Sequence, residues 1–261
     1  MSSIKRGRII QERDRHLLRE LSVMRVMDRE QAQVVGGFRS ASRTNRRLKA
    51  LTDVGLLRRS FLGATAAGRK AVYRLSPEGA AVADVPFRGL RRRVDEVSAK
   101  DFFIEHQLTV NAIYVSLKYR TIPVKGVEFV QWRAFHGPLA DNLPLIPDGY
   151  VVLKTAQGTI GHFLEVDLGT ERRGVWKAKI ENYLKLALSN DCERLIGVRR
   201  FRVLVIANSE RRLQSIRSVV AGIVDKIFWF AAIPDIPGDR FFATVWLRPV
   251  GENKASVIGQ P

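Results

Sequence analysis

From Gln11 to Leu21 the chain is charged except at a few positions, and Leu17, Leu18 and Leu21 fall at a spacing that lines one side of a helix. A second helical segment opens at Asp28, an N-capping residue type, and carries Ala32 and Val35 until Gly36-Gly37 interrupts it. The third runs from Ser40 to Val54, with Ala41, Thr44, Leu48 and Leu51 three or four residues apart on one face, and Gly55 ends it. The period then changes. Leu57 to Phe61 and Lys70 to Leu75 read as short strands around the small-residue loop Leu62 to Gly68, and Ser76-Pro77-Glu78 has the chemistry of a helix start.

Ser98 caps a long helical segment reaching about Tyr119, in which Phe102, His106, Val110, Ile113 and Leu117 return at helical spacing and predict one buried face. On that stripe His106 reads as a satisfied core histidine, and the adjacent Glu105 as a solvated side chain. Strand-like runs follow at Val127 to Arg133, Gly149 to Leu153 and Ile160 to Leu168, the last two joined through Gln157-Gly158. A helix from about Glu171 to Ser189, a strand from Arg202 to Ile206, a helix from Glu210 to Lys226 and strands at Phe228 to Ala231 and Ala243 to Leu247 complete the pattern. It predicts an α/β (α+β) chain: a small helix-and-hairpin domain over 10–84, then a mixed sheet flanked by helices over 98–250. Pro86, Gly89 and Arg91-Arg92-Arg93 mark 85–97 as a basic linker, and 251–261 reads as a flexible tail.

Charge sharpens this picture. Lys and Arg number 44 against 26 Asp and Glu, a net charge of +18, and 23 of those cations against 10 of the acids fall in the first hundred of 261 residues. A bias of this kind predicts a polyanionic partner for the N-terminal third rather than a merely solubilising surface. Cys192 is the only cysteine, which excludes an internal disulfide and suits a reducing cytoplasm. The longest apolar runs, Ile227 to Ile233 and Val203 to Ala207, fall far short of the roughly 20 residues that span a bilayer, and Lys5-Arg6-Gly7-Arg8 leads into no apolar signal core. A cytoplasmic protein without membrane association is expected.

On a helical wheel Arg39, Arg43 and Arg46 cluster within about 60° of one another, opposite the apolar face of the third segment and flanked by Ser42 and Lys49. Helix, helix, basic helix and hairpin is an order that resembles a winged helix-turn-helix over about 10–84. The resemblance implies double-stranded DNA as the partner, with the third helix in the major groove and Arg39, Ser42, Arg43, Asn45, Arg46 and Lys49 as its contacts.

The second domain places acids where apolar residues are expected. Pro147-Asp148-Gly149 begins one strand, and the next reads Phe163-Leu164-Glu165-Val166-Asp167-Leu168. Strand side chains alternate, so Glu165 and Asp167 share a face. Isolated carboxylates in a core cost several kcal/mol each, which demands an open edge, cationic partners or a metal; hard oxygen ligands suit Mg²⁺ or Mn²⁺. Glu171 stands at the start of the following helix, where a carboxylate favours the dipole, and Lys179 and Tyr183 share a face of that helix. The four histidines, His16, His106, His136 and His162, lack metal-ligand spacing, and His162 alternates away from Glu165 and Asp167.

Pro147-Asp148 followed by Glu165-Val166-Asp167 in an αβββαβ order resembles the PD-(D/E)xK nuclease-like fold. The wider pattern from the basic helix through FLEVDLGTE to Lys179 and Tyr183 resembles the replication-relaxation family of bacterial mobile elements. The resemblance covers about 10–207. It implies Asp148, Glu165 and Asp167 as metal ligands for Mg²⁺ or Mn²⁺ and Lys179 as the stand-in for the motif lysine, whose usual place holds Asp167; Lys177 and Lys154 are the other lysines in range. Two functions stay open. One is a DNA-binding protein of plasmid or mobile-element replication, relaxation or mobilisation that nicks or cleaves DNA with a metal ion and Lys179 stabilising developing charge. The other is a sequence-specific transcriptional regulator whose catalytically inactive nuclease-like domain serves as a docking or homodimer scaffold.

Overall fold

A computed structural model describes residues 9–65, 68–88, 97–189, 191–236 and 240–258. The chain is α+β and divides into two compact units, Met1–Val115 and Ser116–Pro261. Arg91-Arg92-Arg93 and most of the expected linker lie outside the described residues.

The first unit contains α1 (Glu12–Met24), β1 (Met27–Asp28), α2 (Arg29–Val35), α3 (Ala41–Asp53), β2 (Leu57–Thr65), β3 (Gly68–Leu75) and α4 (Pro77–Ala83). Its strands form an antiparallel sheet in the order β1-β3-β2. The helix starts follow from capping: the carboxylate of Asp28 accepts from the Gln31 N–H at 2.9 Å, and the hydroxyls of Ser40 and Ser76 accept from the N–H groups of Arg43 and Gly79. Gly55, just past α3, takes φ +83°, a conformation that favours glycine. Leu17, Leu18, Leu21, Ala32, Leu48 and Leu51 are buried, as the apolar spacing requires.

The long helix α5 (Val97–Tyr119) was expected to open the second domain, but through Val115 it belongs to the first unit. Ile104 and Leu108 pack with Val26, Leu62 and Val72. The buried amide of Asn111 donates to the carbonyls of Met24 and Val26 at 3.0 and 2.7 Å, and Gln31 donates to the Leu108 carbonyl at 2.8 Å. These bonds tie α5 to α2 and to the backbone between α1 and α2.

The second unit is a five-stranded sheet in the order β4-β5-β6-β7-β8: β4 (Glu128–Arg133), β5 (Gly149–Thr155), β6 (Gly158–Asp167), β7 (Phe201–Ala207) and β8 (Phe228–Ala232). The first three strands run antiparallel, and β6, β7 and β8 run parallel, joined by α6 (Arg173–Leu188), α7 (Cys192–Ile196) and α8 (Glu210–Ala221). Trp176, Ile180 and Tyr183 of α6 and Leu213, Ile216 and Val220 of α8 close over Phe163, Val203, Val205, Phe228 and Phe230 in one core. The consecutive parallel strands explain why both helices cover the same face.

Two expectations for the C-terminal end are corrected. Ala243 to Leu247 forms no strand: Leu247 makes an isolated bridge to Phe230 and Trp246 one to Ala255, while the Trp246 indole donates to the Phe241 carbonyl at 2.8 Å. Here apolar composition reflects an aromatic plug rather than a ladder. Residues 251–258 are no flexible tail either. The buried guanidinium of Arg217 bonds the Gly251 carbonyl and the Glu252 carboxylate, and Val257 is buried. Residues 259–261 lie outside the described residues. No helix among the described residues is long and apolar enough to cross a membrane.

Candidate functional site

Two groups of side chains carry chemistry, one in each unit. On α3 the buried residues are Thr44, Leu48 and Leu51, and the other side of the helix and its N-terminal approach expose Arg39, Ser42, Arg43, Asn45, Arg46 and Lys49. Lys49 is tied to Asp53 one turn on, at 2.9 Å. Arg47, which the wheel left unassigned, turns inward: its Nε donates to Asp14 Oδ1 at 2.7 Å and its Nη2 to Asp14 Oδ2. Asp14 is fully buried and also accepts from the Gln11 N–H at the start of α1. That ion pair fixes the roll of α3 against α1 and so decides which residues face outward.

In the second unit Glu165 and Asp167 share a face of β6, as strand alternation predicts, yet they enter different networks. Glu165 is fully buried; its Oε1 accepts from the Tyr183 hydroxyl at 2.6 Å and its Oε2 from the Lys179 ammonium at 2.7 Å. Lys179 also donates to Glu171 Oε1 at 2.6 Å. Asp148, just before β5, accepts from the Val166 N–H at 2.7 Å, and its charge acts on Glu165, Lys179 and Tyr183. Asp148, Glu165 and Glu171 therefore gather around one ammonium. Glu171, expected to serve the helix dipole, precedes the first turn of α6 and turns back to Lys179 instead. The alternative lysines stand apart: Lys177 is exposed, and Lys154 reaches Glu128 across the β4–β5 pair.

Burial is the largest single influence on each group of this centre. Burial, reinforced by Asp148, raises the Glu165 carboxyl to about 7 against the pull of Lys179 and Tyr183. Burial alone would lower Lys179, but the carboxylates of Glu165, Asp148 and Glu171 outweigh it and hold the ammonium charged. Tyr183 is pushed well above the ordinary tyrosine value by burial and by Glu165, so its hydroxyl remains a donor.

Asp167 lies outside this cluster. Arg212 of α8 forks onto it at 3.0 and 2.7 Å, the Trp176 indole donates to Oδ2 at 2.8 Å and the Gly169 N–H donates to Oδ1 at 2.6 Å. These donors hold its carboxyl below the ordinary aspartate value despite the opposing effect of burial. Arg212 also donates to the Glu171 carbonyl, which ties the entry of α6 to the start of α8.

The resemblance implies a divalent ion on Asp148, Glu165 and Asp167, and the donor set as arranged does not fit one. Both Glu165 oxygens and both Asp167 oxygens already accept charged or polar hydrogens, and the Lys179 ammonium fills the space between Glu165 and Glu171. Among the described residues no group of three or more His, Cys, Asp or Glu side chains is placed to hold a metal. The expected convergence of Asp148, Glu165, Asp167 and Lys179 is thus replaced by Asp148, Glu165, Glu171 and Lys179, with Asp167 paired to Arg212.

Arg212 was missed because only the strand register reveals it. Asp167 pairs in register with Ala207 on β7, so α8, starting three residues later, must begin beside it. A family model described as replication-relaxation matches residues 18–199, spanning both α3 and the Lys179 cluster. No curated protein and no solved structure matches the chain.

Proposed function

The chain belongs to the replication-relaxation family, and on that premise we propose that it is a duplex-DNA-binding protein serving the replication or relaxation of a plasmid or mobile element. The observation that carries the reading is α3: five of its polar and basic side chains, with Arg39 before it, are exposed together, and Arg47 pairs inward so that this face stays outward. The order of helices and hairpin around it supports a winged helix-turn-helix, in which such a helix enters the major groove. Arginine and asparagine there read base edges while the remaining cations hold phosphates.

In this reading the second unit contributes a nuclease-like sheet whose acidic centre is held by its own lysine, and the protein acts by binding. That favours the DNA-binding role over metal-dependent cleavage, since the carboxylates that cleavage would use are committed to Lys179, Tyr183 and Arg212. The test is an anisotropy titration of the full chain with a labelled duplex. Arg43→Ala with Arg46→Ala should weaken binding by at least tenfold, since each of the two lost contacts is worth roughly 1 kcal/mol or more. An unchanged dissociation constant in the double variant would remove α3 from the interface.

A further inference from the structure

Beyond α3, the second unit carries a second concentration of exposed cations, at the carboxyl ends of β6 and β7. A cleft of about 360 Å³ opens there, lined by Gly169, Asn208, Ser209, Arg211, Arg212 and Ser215. None of the side chains in that lining is a carboxylate; the Ser209 hydroxyl donates to Asn208 and the Asn208 amide to the Leu168 carbonyl at 2.7 Å. Arg212 is neutralised by Asp167, but Arg211 is exposed and makes no ion pair among the described residues. Gly169 lines the cleft in a conformation that favours glycine. Its φ is +99°, and an added Cβ would come within 3.4 Å of the Asn208 amide.

The bond from Arg212 to the Glu171 carbonyl brings the entry of α6 to this cleft, and the two residues after Glu171 are Arg172 and Arg173. Both are exposed and neither makes an ion pair among the described residues. Of the acids in these segments, Glu171 gives one oxygen to Lys179, Asp167 is paired with Arg212, and Glu210 accepts from the Gln214 amide at 2.7 Å and keeps its charge beside Arg211. Three exposed guanidiniums that make no ion pair among the described residues, beside a cleft without a carboxylate, set up a local field that attracts anions. Planar, forked donors of this kind match phosphate oxygens.

We propose that the rim formed by Arg172, Arg173 and Arg211, with the cleft between Asn208 and Ser215, is a second DNA-backbone contact surface that holds phosphodiester groups of the duplex. The inference rests on the DNA-binding reading and adds to it an interface on the second unit. Its character is sequence-independent, because the rim offers phosphate contacts and no groove-reading helix.

The experiment measures the affinity of the full chain for a labelled duplex between 50 and 200 mM salt, for wild type, for Arg172→Ala/Arg173→Ala/Arg211→Ala and for Arg43→Ala/Arg46→Ala. The rim variant should make the slope of log affinity against log salt shallower by about 2 to 3, near 0.9 for each phosphate released. These side chains are exposed and unpaired, so its melting temperature should match wild type, which separates lost contact from lost fold. A folded rim variant with an unchanged slope overturns the inference. If the rim variant is unchanged while the α3 variant loses affinity, the rim fails and the DNA-binding reading stands. If the rim variant changes the slope while the α3 variant does not, the rim stands and the assignment of the interface to α3 fails.

Discussion

Glu165 shows how one buried carboxyl sets the chemistry of its surroundings. Its ordinary carboxyl value of 4.5 rises to about 7 in the folded protein, because burial penalises the anion more than Lys179 and Tyr183 favour it. A group raised on folding contributes stability that is fully present below the unfolded value and is lost as pH rises through the folded one. The folded protein should therefore lose stability from this residue as pH rises from the unfolded carboxyl value through the folded one. Urea denaturation at pH 5 and pH 7.5 measures it. Glu165→Gln keeps an oxygen acceptor for Tyr183 and removes the titration, so its stability should change far less across the same window; an equal slope in both proteins would assign the effect to other groups.

At the scale of the element, α3 owes its exposed face to a residue on its side. Arg47 is the partner of a carboxylate with no exposure, and removing one member of a buried pair strands the other. Arg47→Met should cost about 3 kcal/mol in denaturant unfolding, while Arg47→Met with Asp14→Asn should cost less than the sum of the single changes. Additive losses would show that the pair is not what holds α3 to α1. Much of this level was legible in the sequence. Helical spacing placed α1, α3 and α5, the capping residues Asp28 and Ser76 placed the starts of α2 and α4, and strand alternation put Glu165 and Asp167 on one face. What escaped was pairing at a distance. The apolar stripe of α5 announced burial without naming the carbonyls of Met24 and Val26 that Asn111 satisfies, and so the helix was assigned to the wrong unit. Likewise alternation could not divide Glu165 and Asp167 between Lys179 and Arg212, because that division depends on the β6–β7 register and on where α8 begins.

Taken as a whole the molecule combines a strongly cationic chain with an acidic centre that already contains its cation. The net charge of +18 favours association with a duplex at low salt, whereas cutting that duplex would need the carboxylates of the second unit free to act. They are not free: Lys179 bridges Glu165 and Glu171, Tyr183 takes the second Glu165 oxygen, and Arg212 forks onto Asp167. Drawing Lys179 away would leave Glu165 buried without its counter-ion, at a cost of about 3 to 5 kcal/mol, comparable to a large fraction of a domain's stability. The chain incubated with supercoiled plasmid and Mg²⁺ or Mn²⁺ should therefore retard the plasmid on a gel and leave it supercoiled after the protein is removed. Retardation should fade as salt rises from 50 to 200 mM, because phosphate contacts release counter-ions. Nicked or linear product that appears with wild type and disappears with Glu165→Ala would show that DNA or metal displaces Lys179 after all, and the centre would then have to be read as a nuclease site held closed by its own lysine.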